Sequence, residues 1–216
     1  MIFKLLSILL RYPDEAIFGA REELAEAVRE LAPSPAGGAM LEFLAHWENE
    51  PPQRLQEGYT ATFDFNRRGC LYLSYYRYGD QRARGQVLAD MKAAYARAGY
   101  PLDTAELPDY LPLVLEFTAV APEVGLTMLA EHRGAIEVIR RSLHYDKSPY
   151  ALPIEALVTF LPELDEETVV EMRKLIVQGP PQETVGLEPY AADSPAGGTL
   201  AGSSPGSNVT FHGRKR

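Results

Sequence analysis

The chain of 216 residues is 46% hydrophobic and 24% charged, a balance typical of globular proteins that excludes wholesale disorder. Thirty acidic against twenty-one basic residues give a net charge of −9, which argues against a nucleic-acid binder because that function needs a basic surface. The single cysteine, Cys70, excludes an internal disulfide, and no apolar run reaches the roughly 20 residues of a membrane span. We therefore expect a cytoplasmic protein without stable membrane insertion.

Apolar residues recur at helical spacing along most of the chain up to residue 180. The pattern predicts ten helices, which in chain order span residues 1–12, 14–31, 34–47, 55–63, 81–98, 110–120, 123–131, 133–143, 151–160 and 166–177. Seventeen prolines fall mainly between these segments, which favours many short helices over a few long ones. We predict an all-α fold, a single compact bundle of about ten short helices.

Local signals mark several of the predicted helix ends. Asp14 is suited to cap the second helix, and Ser34-Pro35 offers a cap followed by a proline at the first helical position. Gly99 follows the helix over 81–98, where a left-handed C′ residue is expected. Only residues 70–78 have a strand-like aromatic character, and this segment is too isolated to build a sheet.

The last 24 residues differ in composition from the rest of the chain. Residues 193–216 hold five glycines, four serines and two prolines and carry a net charge of +2, which leaves −11 on residues 1–192. So few apolar side chains cannot offset the entropy lost on ordering the backbone. We predict a helical domain over residues 1–180 and a disordered linker and tail over 181–216.

Motifs for common enzyme chemistry are missing from the sequence. It contains no phosphate-binding loop and no dinucleotide fingerprint, and its four histidines show no HExxH or HxxxH spacing. We therefore expect no catalytic residues, no metal site and no cofactor. One enzymatic alternative stays open, an acid–base hydrolase that would use Asp64, Asp109 and a distant histidine.

The most informative region runs from residue 59 to residue 117 and holds three blocks. In the first block, Tyr59 and Phe63 are one helical turn apart, and Asp64 falls at or near the helix end. A negative charge there opposes the helix dipole unless a basic group compensates it. Arg67 and Arg68 follow directly and could serve.

The second block is the start of the helix over 81–98. Asp80 is placed to cap it, and Arg84 and Gly85 lie in its first turns. A glycine inside a helix is unfavourable by about 1 kcal/mol relative to alanine. Such a glycine usually permits close approach of another helix or of a ligand, and close helix packing is the simpler interpretation.

The third block, residues 106–112, places two prolines around one aspartate. With Asp109 as N-cap, Pro112 falls at the third helical position and loses no intrahelical hydrogen bond. The backbone N–H groups of Tyr110 and Leu111 would then be available to the Asp109 side chain or to an anion.

Together these blocks resemble the NarJ family, the dedicated assembly chaperones of respiratory nitrate reductase, within a wider group that includes TorD and DmsD. The resemblance covers roughly residues 1–180. It is carried by Tyr59, Phe63-Asp64, Gly79-Asp80, Arg82, Arg84-Gly85, Glu106-Leu107-Pro108-Asp109, Leu111-Pro112 and Leu115-Glu116-Phe117. Position 110 is tyrosine where the family usually shows histidine.

The resemblance implies a monomeric chaperone that is not an enzyme and needs no cofactor. It would bind the apo catalytic subunit of nitrate reductase, in part through that subunit's N-terminal peptide, and keep it competent for molybdenum cofactor insertion. It would not remain in the finished complex. A net charge of −11 on residues 1–192 suits a basic, amphipathic peptide. A helical scaffold or regulator with another partner is the second alternative.

We predict that the peptide binds along an apolar seam that joins the first block to the third. The predicted peptide-binding residues combine apolar anchors with charged groups: Tyr59, Phe63, Asp64, Arg84, Gly85, Glu106, Pro108, Asp109, Tyr110 and Leu111.

Overall fold

The computed structural model describes residues 1–31, 33–79 and 82–178. Within these ranges the chain forms twelve helices and no strand: α1 (Ile2–Leu9), α2 (Glu15–Gly19), α3 (Arg21–Leu31), α4 (Pro35–Asn49), α5 (Pro52–Phe63), α6 (Tyr75–Tyr78), α7 (Arg82–Arg97), α8 (Leu111–Val120), α9 (Pro122–Glu131), α10 (Arg133–Tyr145), α11 (Ala151–Val158) and α12 (Glu166–Gln178). Tyr72 and Tyr110 form an isolated antiparallel bridge. The predicted all-α fold is confirmed.

Local backbone geometry explains the two helices beyond the predicted ten. The predicted helix over 14–31 is interrupted at Ala20, with φ −91° and ψ 9°, so α2 and α3 are separate. Gly19 ends α2, and glycine is a poor helix former. The strand-like segment instead contains the single-turn helix α6, because the backbone turns directly after the bridge residue and Tyr75 N–H bonds the Tyr72 carbonyl at 3.2 Å.

Short-range capping interactions fix several of the helix ends. The Asp14 carboxylate accepts a hydrogen bond from the Ile17 N–H at 2.9 Å, and Ser34 Oγ accepts one from the Gly37 N–H at 3.0 Å. Gly99 follows α7 with a φ of +88°, a conformation that glycine adopts without strain. All three predicted helix ends are confirmed.

All described residues belong to one compact unit. The predicted cap at Asp80 and the predicted disordered linker and tail over 181–216 lie outside the described residues, so the boundary after residue 180 stays a prediction. None of the helices in the described ranges combines the length and the apolar character needed to cross a membrane.

The core lies between the longer helices. α1 packs against α8 and α11, α4 packs against α3 and α11, and α10 packs against α11 and α12. A group of buried aromatic side chains joins α4 to α5: Phe43, Trp47, Tyr59, Phe63 and Tyr150. This group holds α5, and with it the first sequence block, against the body of the protein.

Gly125 lies where α9 packs on α8. A Cβ atom added there would fall 2.6 Å from the Thr118 Cα atom, far inside van der Waals contact. We therefore expect Gly125→Ala to lower the free energy of unfolding by about 1–3 kcal/mol, the usual range for an overpacked core. Urea unfolding of the purified variant measures this change.

Gly58→Ala on α5 is the matched control for this substitution. Nothing lies within 4 Å of a Cβ at Gly58, and alanine in a helix is favoured over glycine by up to about 1 kcal/mol. The control should therefore be as stable as the wild type or more stable. Equal stability of the two variants would contradict the close contact between α8 and α9.

Candidate functional site

A short backbone pairing joins the third sequence block to residues 71–73, in the loop that follows the first block. The Leu111 N–H donates to the Leu71 carbonyl at 2.8 Å, and the Leu73 N–H donates to the Asp109 carbonyl at 3.0 Å. The pairing sets the ring of Tyr72 beside that of Tyr110, with 5.2 Å between the ring centroids. The start of α8 is therefore fixed against the loop that follows α5.

A pocket of about 300 Å³ opens between the end of α5, this loop and the start of α8. Five aromatic side chains form most of its wall: Tyr12, Tyr59, Phe63, Tyr72 and Tyr110. Two carboxylates, Asp64 and Glu106, line it as well. Asp64 is exposed as the C-cap of α5, and Glu106 is half-buried.

Tyrosine hydroxyl groups connect the aromatic wall through hydrogen bonds. The Tyr59 hydroxyl donates to the Leu10 carbonyl at 3.2 Å and lies 3.2 Å from the Tyr110 hydroxyl. The Tyr72 hydroxyl donates to Glu106 Oε1 at 2.9 Å. These bonds hold the rings in place, so the pocket is formed before any ligand arrives.

Three side chains of the pocket wall, Tyr59, Cys70 and Tyr72, are uncharged at neutral pH. Burial is the main cause that raises the pKa of Tyr59, and the neighbouring Tyr110 is the second. Burial together with the hydrogen bond to Glu106 raises the pKa of Tyr72. Burial also raises the pKa of the Cys70 thiol, which lies in the same wall. The pocket therefore combines uncharged aromatic side chains with the carboxylates of Asp64 and Glu106.

Asp109 is fully buried and holds the second and third blocks together. Its Oδ2 accepts hydrogen bonds from the Ser74 N–H at 3.1 Å and from the Ser74 hydroxyl at 2.5 Å. Arg84 completes the cluster, with Nη2 donating to Asp109 Oδ2 at 3.2 Å and Nε donating to Ser74 Oγ at 3.0 Å. We call these three residues the Asp109 cluster.

The predicted capping role of Asp109 is wrong. Tyr110 is the N-cap of α8, and no side chain caps it. The Leu111 N–H donates to Leu71 and the Tyr110 N–H donates to the Leu107 carbonyl at 3.1 Å, so these groups are not available to an anion. The start of α8 is held by the backbone pairing with residues 71–73 and not by a side-chain cap. Sequence spacing does not reveal this pairing.

Arg84 links the Asp109 cluster to the pocket wall. Its guanidinium carbon lies 6.0 Å from the ring centroid of Tyr72 and 5.8 Å from that of Tyr75, within the range of cation–π attraction. The neighbouring Gly85 is exposed, and nothing lies within 4 Å of a Cβ there. The interpretation of Gly85 as a site of close helix packing is therefore wrong.

The structure brings half of the ten predicted peptide-binding residues to the pocket: Tyr59, Phe63, Asp64, Glu106 and Tyr110. Four others, Arg84, Pro108, Asp109 and Leu111, lie behind its wall, the last three buried, and Gly85 lies on the exposed face of α7. Their role in peptide binding stays a prediction.

Four pocket residues, Tyr12, Cys70, Leu71 and Tyr72, were not predicted as site residues from the sequence. Tyr72 belongs to the aromatic segment over 70–78, whose composition was a usable signal. Tyr12 packs edge-on against Tyr59, with 5.6 Å between the ring centroids. Its position just before Pro13 gave no indication of this contact.

The sequence of this chain matches a known protein family. A family model described as nitrate reductase delta subunit matches residues 21–167. The chain belongs to this family. The matched range includes the two segments that supply most of the pocket, residues 59–72 and 106–110. Tyr12, which also lines the pocket, lies before the matched range.

Two relatives carry the name NarJ and are described as nitrate reductase molybdenum cofactor assembly chaperones. The Bacillus subtilis protein is 31% identical over 170 residues, covering 78% of this chain and 92% of the relative. The Escherichia coli protein is 30% identical over 171 residues, covering 77% of this chain and 72% of the relative. The predicted membership of the NarJ family is confirmed.

A solved structure shares the fold. It is described as a redox enzyme maturation protein from Archaeoglobus fulgidus and is 23% identical to this chain, with a TM-score of 0.56. The match covers 73% of this chain and 90% of the solved one. At this identity the likeness shows the helical fold alone.

Proposed function

We propose that this protein is a dedicated assembly chaperone of nitrate reductase. It binds the apo catalytic subunit in the cytoplasm, in part through the N-terminal segment of that subunit, and keeps it competent for insertion of the molybdenum cofactor. It acts as a monomer, performs no catalysis and leaves the finished complex. Family membership and the names of the two NarJ relatives support this proposal.

The pocket is the single observation that carries the proposal beyond family membership. It is preformed, and it combines an aromatic wall with the carboxylates of Asp64 and Glu106. An amphipathic peptide suits such a site, because its apolar side chains fill the interior while a basic side chain meets the carboxylates. The two charges also steer a basic peptide towards the pocket.

The hydrolase alternative requires that Asp109 reach a substrate. Its side chain is fully buried and its Oδ2 is occupied by Ser74 and Arg84. A substrate could reach this carboxylate only if the packing around the buried side chain opened. The position of Asp109 therefore favours a structural role for it and a binding function for the protein.

The double substitution Asp64→Asn and Glu106→Gln is expected to weaken peptide binding by roughly two- to tenfold at low salt. An exposed ion pair contributes about 0.2–1 kcal/mol, and salt screens it. The difference between variant and wild type should therefore shrink as the salt concentration rises. Calorimetric titration with the N-terminal peptide of the catalytic subunit measures both effects.

The matched control is Glu30→Gln with Glu42→Gln. It removes the same two charges from α3 and α4, whose exposed glutamates do not line the pocket. An equal loss of affinity in the two double variants would show that only the net charge matters and would contradict the assignment of the site. Unchanged affinity in the pocket variant would contradict it as well.

A further inference from the structure

Two aromatic side chains stand out on the surface next to the pocket. Phe65 is 83% exposed and Tyr145 is 87% exposed, the highest fractions among the large apolar side chains of the described residues. Phe65 directly precedes Asn66, and Tyr145 directly precedes Asp146. A hydrogen bond joins these two following residues, in which Asn66 Nδ2 donates to Asp146 Oδ2 at 2.8 Å. The two chain segments that carry these rings therefore meet at the surface, and we call Phe65 and Tyr145 the aromatic patch.

The backbone beneath the aromatic patch is held by hydrogen bonds. The Phe65 N–H donates to the Thr60 carbonyl at 3.2 Å, and the Gly69 N–H donates to the Asn66 carbonyl at 2.9 Å. On the other side the Asp146 N–H donates to the Ser142 carbonyl at 2.9 Å, at the end of α10. A partner that binds here has to order the two side chains only, and not the loops, which favours binding.

The aromatic patch adjoins the pocket through the chain itself. Phe63 and Asp64 line the pocket, and Phe65 is the next residue. The two segments that carry the patch, residues 64–68 and 145–147, hold three basic residues and two acids and so have a net charge of +1. The patch thus favours an apolar segment over a basic one.

A second copy of this chain is a poor occupant for the aromatic patch. In a symmetric dimer the two rings of each copy, four in all, would bury about 600–1,000 Å² at about 150–250 Å² per ring. This at most reaches the roughly 1,000 Å² that a stable dimer buries. A polypeptide already held in the pocket needs far less additional contact, because its next segment binds at a high effective concentration.

We propose that Phe65 and Tyr145 form a second contact surface for the same partner polypeptide. The segment adjoining the one in the pocket binds there, and it presents an apolar or aromatic side chain between the two rings. This inference rests on the proposed function and deepens it, since it divides recognition into a charge-assisted pocket and an apolar patch.

The test compares two peptides from the N-terminus of the nitrate reductase catalytic subunit. One has about 12 residues and one about 30, because each added residue extends the reach of the peptide by up to about 3.3 Å. Calorimetry measures the affinity of the full chain, of the variant Phe65→Ser with Tyr145→Ser, and of the control Val120→Ser with Val124→Ser. Val120 and Val124 are also exposed; Val120 ends α8, at the far end from Tyr110, and Val124 lies in the first turn of α9.

The patch variant should lose at least about tenfold in affinity for the long peptide, the equivalent of one buried aromatic side chain. Its affinity for the short peptide, its melting temperature and its salt dependence should match those of the wild type. The control should bind both peptides normally.

Equal affinities of wild type and patch variant for the long peptide would overturn this inference and leave the proposed function standing. A wild type that binds neither peptide would overturn the proposed function and this inference with it. Light scattering provides a further outcome: a wild-type dimer that the patch variant lacks would assign the surface to a second copy and overturn the inference.

Discussion

Replacing Arg84 with alanine is expected to lower the free energy of unfolding by about 3 kcal/mol. The side chain of Asp109 is fully buried and that of Arg84 is 16% exposed. Removal of one partner from a buried pair leaves an uncompensated charge in the protein interior, which is strongly destabilising. Urea unfolding at neutral pH measures the loss. The same substitution removes the cation next to Tyr72, so peptide affinity should also fall.

Two further variants test the cause of this destabilisation. Arg29→Ala removes an arginine of an exposed pair with Glu48, whose side chains are 62% and 45% exposed, and should change stability by less than about 1 kcal/mol. Adding Asp109→Asn to Arg84→Ala should recover part of the loss, because a neutral amide leaves no buried charge. If Arg84→Ala is no more destabilising than Arg29→Ala, the Asp109 cluster does not hold α7 in place.

The second large effect is a loss of stability in acid that depends on Glu137. This carboxylate is 3% exposed on α10 and pairs with Arg133, Arg140 and Arg141 at 2.8–3.3 Å. Burial alone would raise its pKa, but the hydrogen bonds from Arg140 and Arg141 outweigh it and lower the pKa of Glu137 to about 2 from an ordinary 4.5. The difference corresponds to roughly 3 kcal/mol of stability.

The dependence of stability on pH follows from the direction in which the pKa of Glu137 is shifted. Because the pKa is lower in the folded state, the contribution is complete above pH 4.5 and is lost as the pH falls towards 2. We expect Glu137→Gln to be less stable than the wild type by about 3 kcal/mol at pH 7, and the gap should narrow steadily below pH 4.5. Urea unfolding between pH 7 and pH 2.5 measures the gap.

Glu48→Gln is the control for Glu137→Gln, since Glu48 belongs to an exposed pair. Its stability relative to the wild type should vary little over the same range of pH. A gap between Glu137→Gln and the wild type that stays constant from pH 7 to pH 2.5 would contradict the lowered pKa.

The helices could be predicted from the sequence because the signals for them are local. Apolar spacing, proline positions and the caps at Asp14 and Ser34 each depend on residues within one or two turns. The break at Ala20 was missed because a periodic apolar pattern continues across it. The chain from Asp14 to Leu31 keeps the same apolar face although its backbone is interrupted.

The site was only partly predictable because it depends on contacts between distant residues. The partners of Asp109 are Ser74 and Arg84, which are 35 and 25 residues away. Local reasoning instead assigned Asp109 to the helix that follows it, where aspartate is common as an N-cap. Three of the five aromatic residues of the pocket and both of its acids were predicted through the motif. That they lie apart from the buried Asp109 cluster could be learned only from the fold.

The molybdenum content of the nitrate reductase catalytic subunit tests the central claim most directly. The subunit is purified from cells that contain the chain, from cells that lack it and from cells in which it is restored, and molybdenum is measured by mass spectrometry. We predict a subunit that is present but poor in molybdenum when the chain is absent, with full content after restoration. Equal molybdenum content in all three preparations would contradict the assignment as an assembly chaperone.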